Sequence, residues 1–136
     1  MIDESMTVQD LMSTALITLK PDDTLGNAEY EMKLAAIRHI PIVDDRNKLV
    51  GIVSNRDILR ALGKAEGEKV RMRDIMTQSL HRVNEDAAAR EAAAIILENK
   101  IGAVPVIGDS GQLVGVVTET DFVRVAYEAL GGDVLD

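Results

Sequence analysis

The chain has 136 residues, 46% apolar and 28% charged, which suits one ordinary domain; no apolar run nears the roughly 20 residues that span a bilayer. Its net charge is −8, and residues 1–68 (8 basic, 12 acidic) and 69–136 (7 basic, 11 acidic) each carry −4. With only Tyr30, Phe122 and Tyr127 as aromatics and no cysteine, it lacks the basic, stacking face of a nucleic-acid binder, and neither disulfides nor thiolate metal sites can hold it together.

The N-terminus, Met-Ile-Asp-Glu-Ser, has no basic or apolar leader segment, so a cytoplasmic location is expected. Residues 7–12 read as a short helical lead-in, and residues 16–19 as a brief extended segment. Pro21, Asp22, Asp23 and Thr24 form a helix start with ready caps. The helix itself is expected over 25–36, with Ala28, Met32 and Ala35 facing inward at helical spacing. Two apolar strands, 39–43 and 49–54, flank the polar join Asp44-Asp-Arg-Asn-Lys48 and read as a hairpin. A second helix covers 55–62, and the polar stretch 63–68 is a linker.

The order then returns. Residues 71–76 are a lead-in and 80–83 an extended segment, and Asn84-Glu-Asp86 supplies caps for a helix over 87–100 with Ala92, Ile95 and Ile96 inward. Strands 103–107 and 113–118 flank Gly108-Asp-Ser-Gly111. A last helix runs from 119 to about 130, where Gly131 and Gly132 end it. Residues 8–61 slide onto 72–125 without a gap, with 14 identities in 54 positions. Such a repeat fixes the architecture: β-α-β-β-α twice, an α/β (α+β) fold. Each copy, near 60 residues, buries too little surface alone, so a shared core is expected.

The recurring positions are Pro41/Pro105 in the first hairpin strand, and Gly51/Gly115, Ser54/Thr118 and Asp57/Asp121 from the second strand into the helix. At a strand-to-helix junction a hydroxyl is a natural N-cap, and an acidic residue three positions on closes a capping box and suits the helix dipole. The same atoms can do more. One carboxylate can accept from both hydroxyls of a ribose, and the free N–H groups of a helix start suit phosphate. Gly51 and Gly115 keep the strand closely packed.

This pattern resembles the cystathionine-β-synthase (CBS) domain, and two copies in tandem resemble a Bateman module. The likeness covers about residues 7–130: repeat one at 7–62, linker 63–70, repeat two at 71–130. It implies two repeats packed through their sheets with pseudo-twofold symmetry, and two clefts that bind adenosyl ligands such as AMP, ADP, ATP or S-adenosylmethionine. By resemblance Asp57 and Asp121 grip ribose, with Ser54, Arg56, Thr118 and Thr120 near ribose and phosphates. The expected first cleft joins Ser54, Arg56 and Asp57 to Thr77, Leu80, Ile101, Gly102 and Ala103. The second joins Thr118, Thr120 and Asp121 to Ser13, Leu16, Ile37, Arg38 and His39. Arg56 then serves one cleft and Arg38 the other, while Glu119 opposes polyphosphate in the second.

His39 and His81 fall at non-matching repeat positions with no metal-ligand spacing, so no metal is expected, and His39 reads as a half-buried strand residue placed to stack on a base or approach phosphate. No nucleophile with a neighbouring base, Walker loop or Gly-x-Gly-x-x-Gly turn is present, so no catalysis and no resident cofactor are expected. The expected function is regulatory: an adenosyl ligand shifts the packing of the repeats, and a homodimer or a separate effector protein reads the shift. The six Met residues read as flexible core packing, and Val123, Tyr127, the face of the C-terminal helix and the short helix near Val8 to Met12 as dimer surfaces. The alternative is a ligand-free module that dimerises and scaffolds a partner.

Overall fold

A computed structural model describes residues 4–64, 66–78 and 81–134. The chain divides into two compact units. One comprises Met1–Leu16, His81–Ser110 and Val114–Asp136, the other Ile17–Leu80 and Gly111–Leu113. The sequence repeats and these units are out of phase, because each repeat's lead-in helix belongs to the unit built mainly from the other repeat.

In the Ile17–Leu80 unit, helix α2 (Leu25–Ala35) starts on Thr24, whose Oγ1 accepts from Asn27 N–H at 3.1 Å while Asn27 Oδ1 accepts from Thr24 N–H at 3.0 Å. Leu25, Ala28 and Met32 are buried, whereas Ala35, expected inward, is exposed because the helix ends there: Ala36 turns left-handed (φ 55°). Strands β1 (His39–Val43) and β2 (Leu49–Ser54) form an antiparallel pair in which His39 faces Ser54 and Pro41 faces Ile52. Helix α3 (Asn55–Leu62) follows directly, and Ile40, Ile42, Val53 and Ile58 are almost fully withdrawn from water. Each such burial contributes about 1.5–3 kcal/mol. Of the extended segment expected at 16–19, only Leu19 pairs, in parallel with Ile42.

Helix α4 (Met72–Ile75), the second repeat's lead-in, closes this unit. Its Met72 is fully buried; Met72 N–H donates to Asp23 O at 3.0 Å, Arg73 N–H to Pro21 O at 2.9 Å, and the Arg73 side chain pairs with Asp22.

The other unit repeats the plan with the first repeat's lead-in, helix α1 (Val8–Leu11). Fully buried Val8 donates its N–H to Ala87 O at 2.9 Å, and Gln9 N–H reaches Glu85 O at 3.1 Å. Strands β3 (Val83–Asn84), β4 (Ala103–Ile107) and β5 (Leu113–Thr118) form a sheet in the order β3-β4-β5, with β3 parallel to β4. Helix α5 (Ala89–Asn99) starts later than expected, on Ala88, which has no capping side chain. Asn84 Oδ1 accepts Asp86 N–H at 2.9 Å instead, holding a turn ahead of the helix. Helix α6 (Glu119–Ala129) ends near Gly131, whose φ of 101° suits glycine. Val83, Ala92, Ile96, Val104, Val106 and Val117 surround Val8, with Ile95 and Phe122 partly buried against them.

Candidate functional site

Each unit contains one strand-to-helix junction bearing the Ser/Thr-x-x-Asp pattern. At the α3 start, Ser54 N–H and Ser54 Oγ–H both donate to Asp57 Oδ2 at 2.9 Å, and Asp57 N–H donates back to Ser54 Oγ at 3.2 Å. At the α6 start, Thr118 N–H and Oγ1–H donate to Asp121 Oδ2 at 2.8 and 3.2 Å. The aspartate therefore caps the strand end in both, and the return bond from a helix N–H to the hydroxyl is made at Ser54. The aspartate cap also occurs where no ligand residue was expected: Thr7 gives Asp10 Oδ2 the same two bonds, at 2.8 and 3.1 Å. What separates Asp57 and Asp121 from Asp10 is setting. Both lie at the end of a sheet strand and are half-buried, whereas Asp10 is exposed on a one-turn helix. In each junction aspartate the bonds converge on Oδ2, and among the described residues none reaches Oδ1.

Thr77 and Ser13 come to these junctions as expected, each carried by a lead-in. Thr77 exchanges backbone hydrogen bonds with Ile52, two residues before Ser54, at 2.9 and 3.1 Å; Ser13 does the same with Val116, two before Thr118. Leu16 falls in the unit of Thr118, while Leu80 lies outside the described residues.

The strand entrances stand at the helix starts of their own copies. Ile37, Arg38 and His39, which the resemblance sets in one cleft with the helix start of the other copy, sit beside their own: His39 is the antiparallel partner of Ser54, and Arg38 O accepts Asn55 N–H at 2.7 Å. Likewise Gly102 O accepts Glu119 N–H at 3.1 Å, which brings Ile101, Gly102 and Ala103 to Thr118. The cause is hairpin geometry, since a short antiparallel hairpin must set the first residue of one strand beside the last of the next.

Within each unit the hairpin sets a different charge beside the helix start. The Ser54 junction holds exposed Arg38 and Arg56 with half-buried His39, against Asp57; the Thr118 junction holds Glu119 and Asp121 with Gly102, Ala103 and Thr120, and no basic residue at the matching positions. Neither guanidinium enters an ion pair among the described residues. No group of three or more His, Asp or Glu suited to a metal ion occurs among them either.

Gly51 and Gly115 have a sharper role than strand packing in general. A Cβ on Gly51 would meet Met76 Sδ at 2.6 Å, and one on Gly115 would meet Met12 Sδ at 2.5 Å and Ser13 O at 3.0 Å. The lead-in methionines lie flat on the two glycines, which seats Thr77 and Ser13 beside the junctions. The repeat spacing pairs Met12 with Met76 and Gly51 with Gly115, a signal that was present in the sequence but carried no meaning until the lead-ins were placed.

Sequence reasoning also missed a groove of about 350 Å³ between α2 and α3, lined by Met32, Ile37, Arg38, Asn55, Leu59 and Leu62 among others. It reaches the α3 start at Asn55 but does not include Ser54 or Asp57.

Comparison with known proteins gives this geometry its context. The profile of the CBS domain matches twice, over residues 8–64 and 72–128. The chain belongs to the CBS-domain family. Among solved structures, a putative acetoin utilization protein (AcuB) from Vibrio cholerae is 36% identical with a TM-score of 0.82, covering 92% of this chain and 93% of its own. The CBS domain pair of protein MJ0100, in complex with 5′-methylthioadenosine and S-adenosyl-L-methionine, is 32% identical with a TM-score of 0.82 and covers 90% and 97%. CBSX2, a CBS-pair protein from Arabidopsis thaliana, in complex with AMP, is 29% identical with a TM-score of 0.83 and covers 92% and 98%. The chain also matches inosine-5′-monophosphate dehydrogenase from Methanocaldococcus jannaschii, 33% identical over 109 residues, which are 80% of this chain but 21% of that enzyme. It thus spans about a fifth of the enzyme's length. No described helix of the tandem CBS pair is long and apolar enough to cross a membrane.

Proposed function

We propose that this CBS pair is a regulatory module that binds adenosyl compounds at its two Ser/Thr-x-x-Asp junctions and transmits occupancy through a homodimer or a partner protein. The observation that carries the reading is the second carboxylate oxygen of Asp57 and of Asp121. In each case Oδ2 is spent on the cap, and Oδ1 remains to accept from a ribose diol beside a helix start. Relatives that cover nearly this whole chain and are crystallised with AMP, S-adenosyl-L-methionine and 5′-methylthioadenosine support that ligand class. A ligand that prefers one arrangement shifts the population by no more than its differential affinity.

A second reading, dimerisation and scaffolding without ligand, draws support from exposed apolar side chains on the hairpin-following helices: Leu59 at 61%, Val123 at 66% and Tyr127 at 45% exposure. A thermal-shift series against AMP, ADP, ATP and S-adenosylmethionine separates the two. A ligand at 100 times its Kd adds about 2.7 kcal/mol of stability. Asp57→Asn and Asp121→Asn are the decisive variants, because Asn27 closes an equivalent box on Thr24 in this same molecule. They should keep unliganded stability within about 0.5 kcal/mol while losing the ligand-induced shift. No shift with any compound on the native chain leaves the scaffold reading in its place.

A further inference from the structure

We infer that the groove between α2 and α3 seats helix α6 of a second copy, so that copies meet first repeat to second; this rests on the homodimer output proposed above. Shape is the first observation. The groove, about 350 Å³, is lined by buried Met32 and Ile58, half-buried Ile37 and exposed Leu59 and Leu62. Helix α6 carries a matching ridge: Val123 and Tyr127 lie one turn apart, Leu130 follows just past the helix end, and all three are exposed. Side chains at this spacing share one helix face, and a hydrophobic groove takes an amphipathic helix by such a row of anchors. The helix has this surface to give, because it buries none of its own residues as deeply as α3 buries Ile58 and Ala61.

Charge is the second observation, and it selects the orientation. On the groove side stand exposed Arg38, Arg56 and Arg60, which enter no ion pair among the described residues. Helix α6 carries Glu119, Asp121 and Glu128 against Arg124 alone. Two α6 helices face to face would gather their carboxylates, and two α3 helices their guanidiniums. Setting α6 on the groove brings unlike charges together, and complementary rims of this kind suppress the wrong pairing as well as favour the right one. The surfaces are not interchangeable, since Lys33, Arg38 and Leu62 are replaced in the repeat by Leu97, Gly102 and Ala126. The contact therefore joins two different faces, the heterologous kind.

The absence of cysteine makes the pairing directly readable. Leu59→Cys and Val123→Cys, both on exposed side chains, are treated with a short bismaleimide separately and as an equimolar mixture, and the native chain is examined by sedimentation equilibrium. The native chain is expected to sediment as a dimer, and the mixture to cross-link far more than either variant alone. Leu59→Asp should weaken self-association at least tenfold. If each variant cross-links to itself as readily as to the other, or if Leu59→Asp leaves the dimer intact, the α6 seat is overturned while the homodimer stands. A native chain that stays monomeric up to its solubility limit overturns both the seat and the homodimer output, while adenosyl binding, read by thermal shift, is judged separately.

Discussion

The α3 and α6 junctions come from one repeated sequence and share the same aspartate cap, yet they are anchored differently. Helix α3 buries Ile58 and Ala61, whereas α6 buries no residue to the same degree. The position of Ile58 is taken in the repeat by Phe122, which is only partly withdrawn from water against its core. Beyond it α6 presents Val123, Tyr127 and Leu130 to solvent. One copy of the motif is thus fixed by its own core. The other leaves its helix lightly held, with apolar surface to spare, so equal sequence motifs need not have equal rigidity.

The largest effect should come from testing that anchoring. Ile58→Ala removes a side chain 1% exposed and is expected to cost about 2–4 kcal/mol. Phe122→Ala, although it deletes more atoms, should cost less, about 1–2 kcal/mol, because water already reaches part of the ring. Denaturant melts with amide exchange read separately on the two units check both. Equal losses would mean that α6 is held as firmly as α3.

Most of each unit was legible in the sequence because its signals are local. The hairpins at 39–54 and 103–118 announce themselves by β-branched runs around polar joins, and both hairpin-following helices begin where Ser54 and Thr118 stand. Two features were not legible locally. Which repeat receives each lead-in was suggested by the resemblance, which sets Thr77 with Ser54 and Ser13 with Thr118, and not by any local pattern: it depends on buried Val8 and Met72 finding a core. The nearness of Arg38 to Ser54 follows from antiparallel register, with Asn55 N–H donating to Arg38 O, and the resemblance, which names cleft partners across the copies, does not state it. The α5 start was misjudged for a third reason. Asn84 spends its side chain on a turn, so a residue that favours caps does not cap.

A smaller but sharper contrast lies in the glycines. Gly115→Ala would press a methyl on Met12 and on the backbone oxygen of Ser13, whereas the three atoms nearest a methyl at Gly51 are Met76 Sδ, Cγ and, at 3.0 Å, Cβ. A thioether chain can turn aside, but a carbonyl fixed in hydrogen bonds with Val116 cannot. Gly115→Ala is therefore expected to cost about 2–3 kcal/mol and Gly51→Ala about 1–2 kcal/mol, measured by urea midpoint. Equal costs would show that the Ser13 segment yields as easily as the methionine.

The smallest expected difference is in the hairpin turns, and it depends on pH. Asp44 Oδ1 accepts Arg46 N–H at 2.8 Å and Lys48 N–H at 3.0 Å. These backbone bonds, Lys48 first, hold the Asp44 carboxyl below its ordinary value of 3.8. In the repeat the same position is Gly108, and the left-handed residue of the turn, Asn47 at φ 61°, is replaced by Gly111 at φ 82°. A carboxylate whose folded pKa is depressed stabilises the fold above its unfolded pKa and loses that contribution as pH falls through the folded value. The first turn should therefore loosen as the solution is acidified below 3.8, with the Arg46 and Lys48 amide resonances moving together. The Gly108 turn should not respond through this route, and Asp44→Asn should remove the transition from the first. If the Arg46 and Lys48 amides fail to titrate, the Asp44 carboxylate does not set this turn, and the difference between the two hairpins reduces to Asn47 against Gly111.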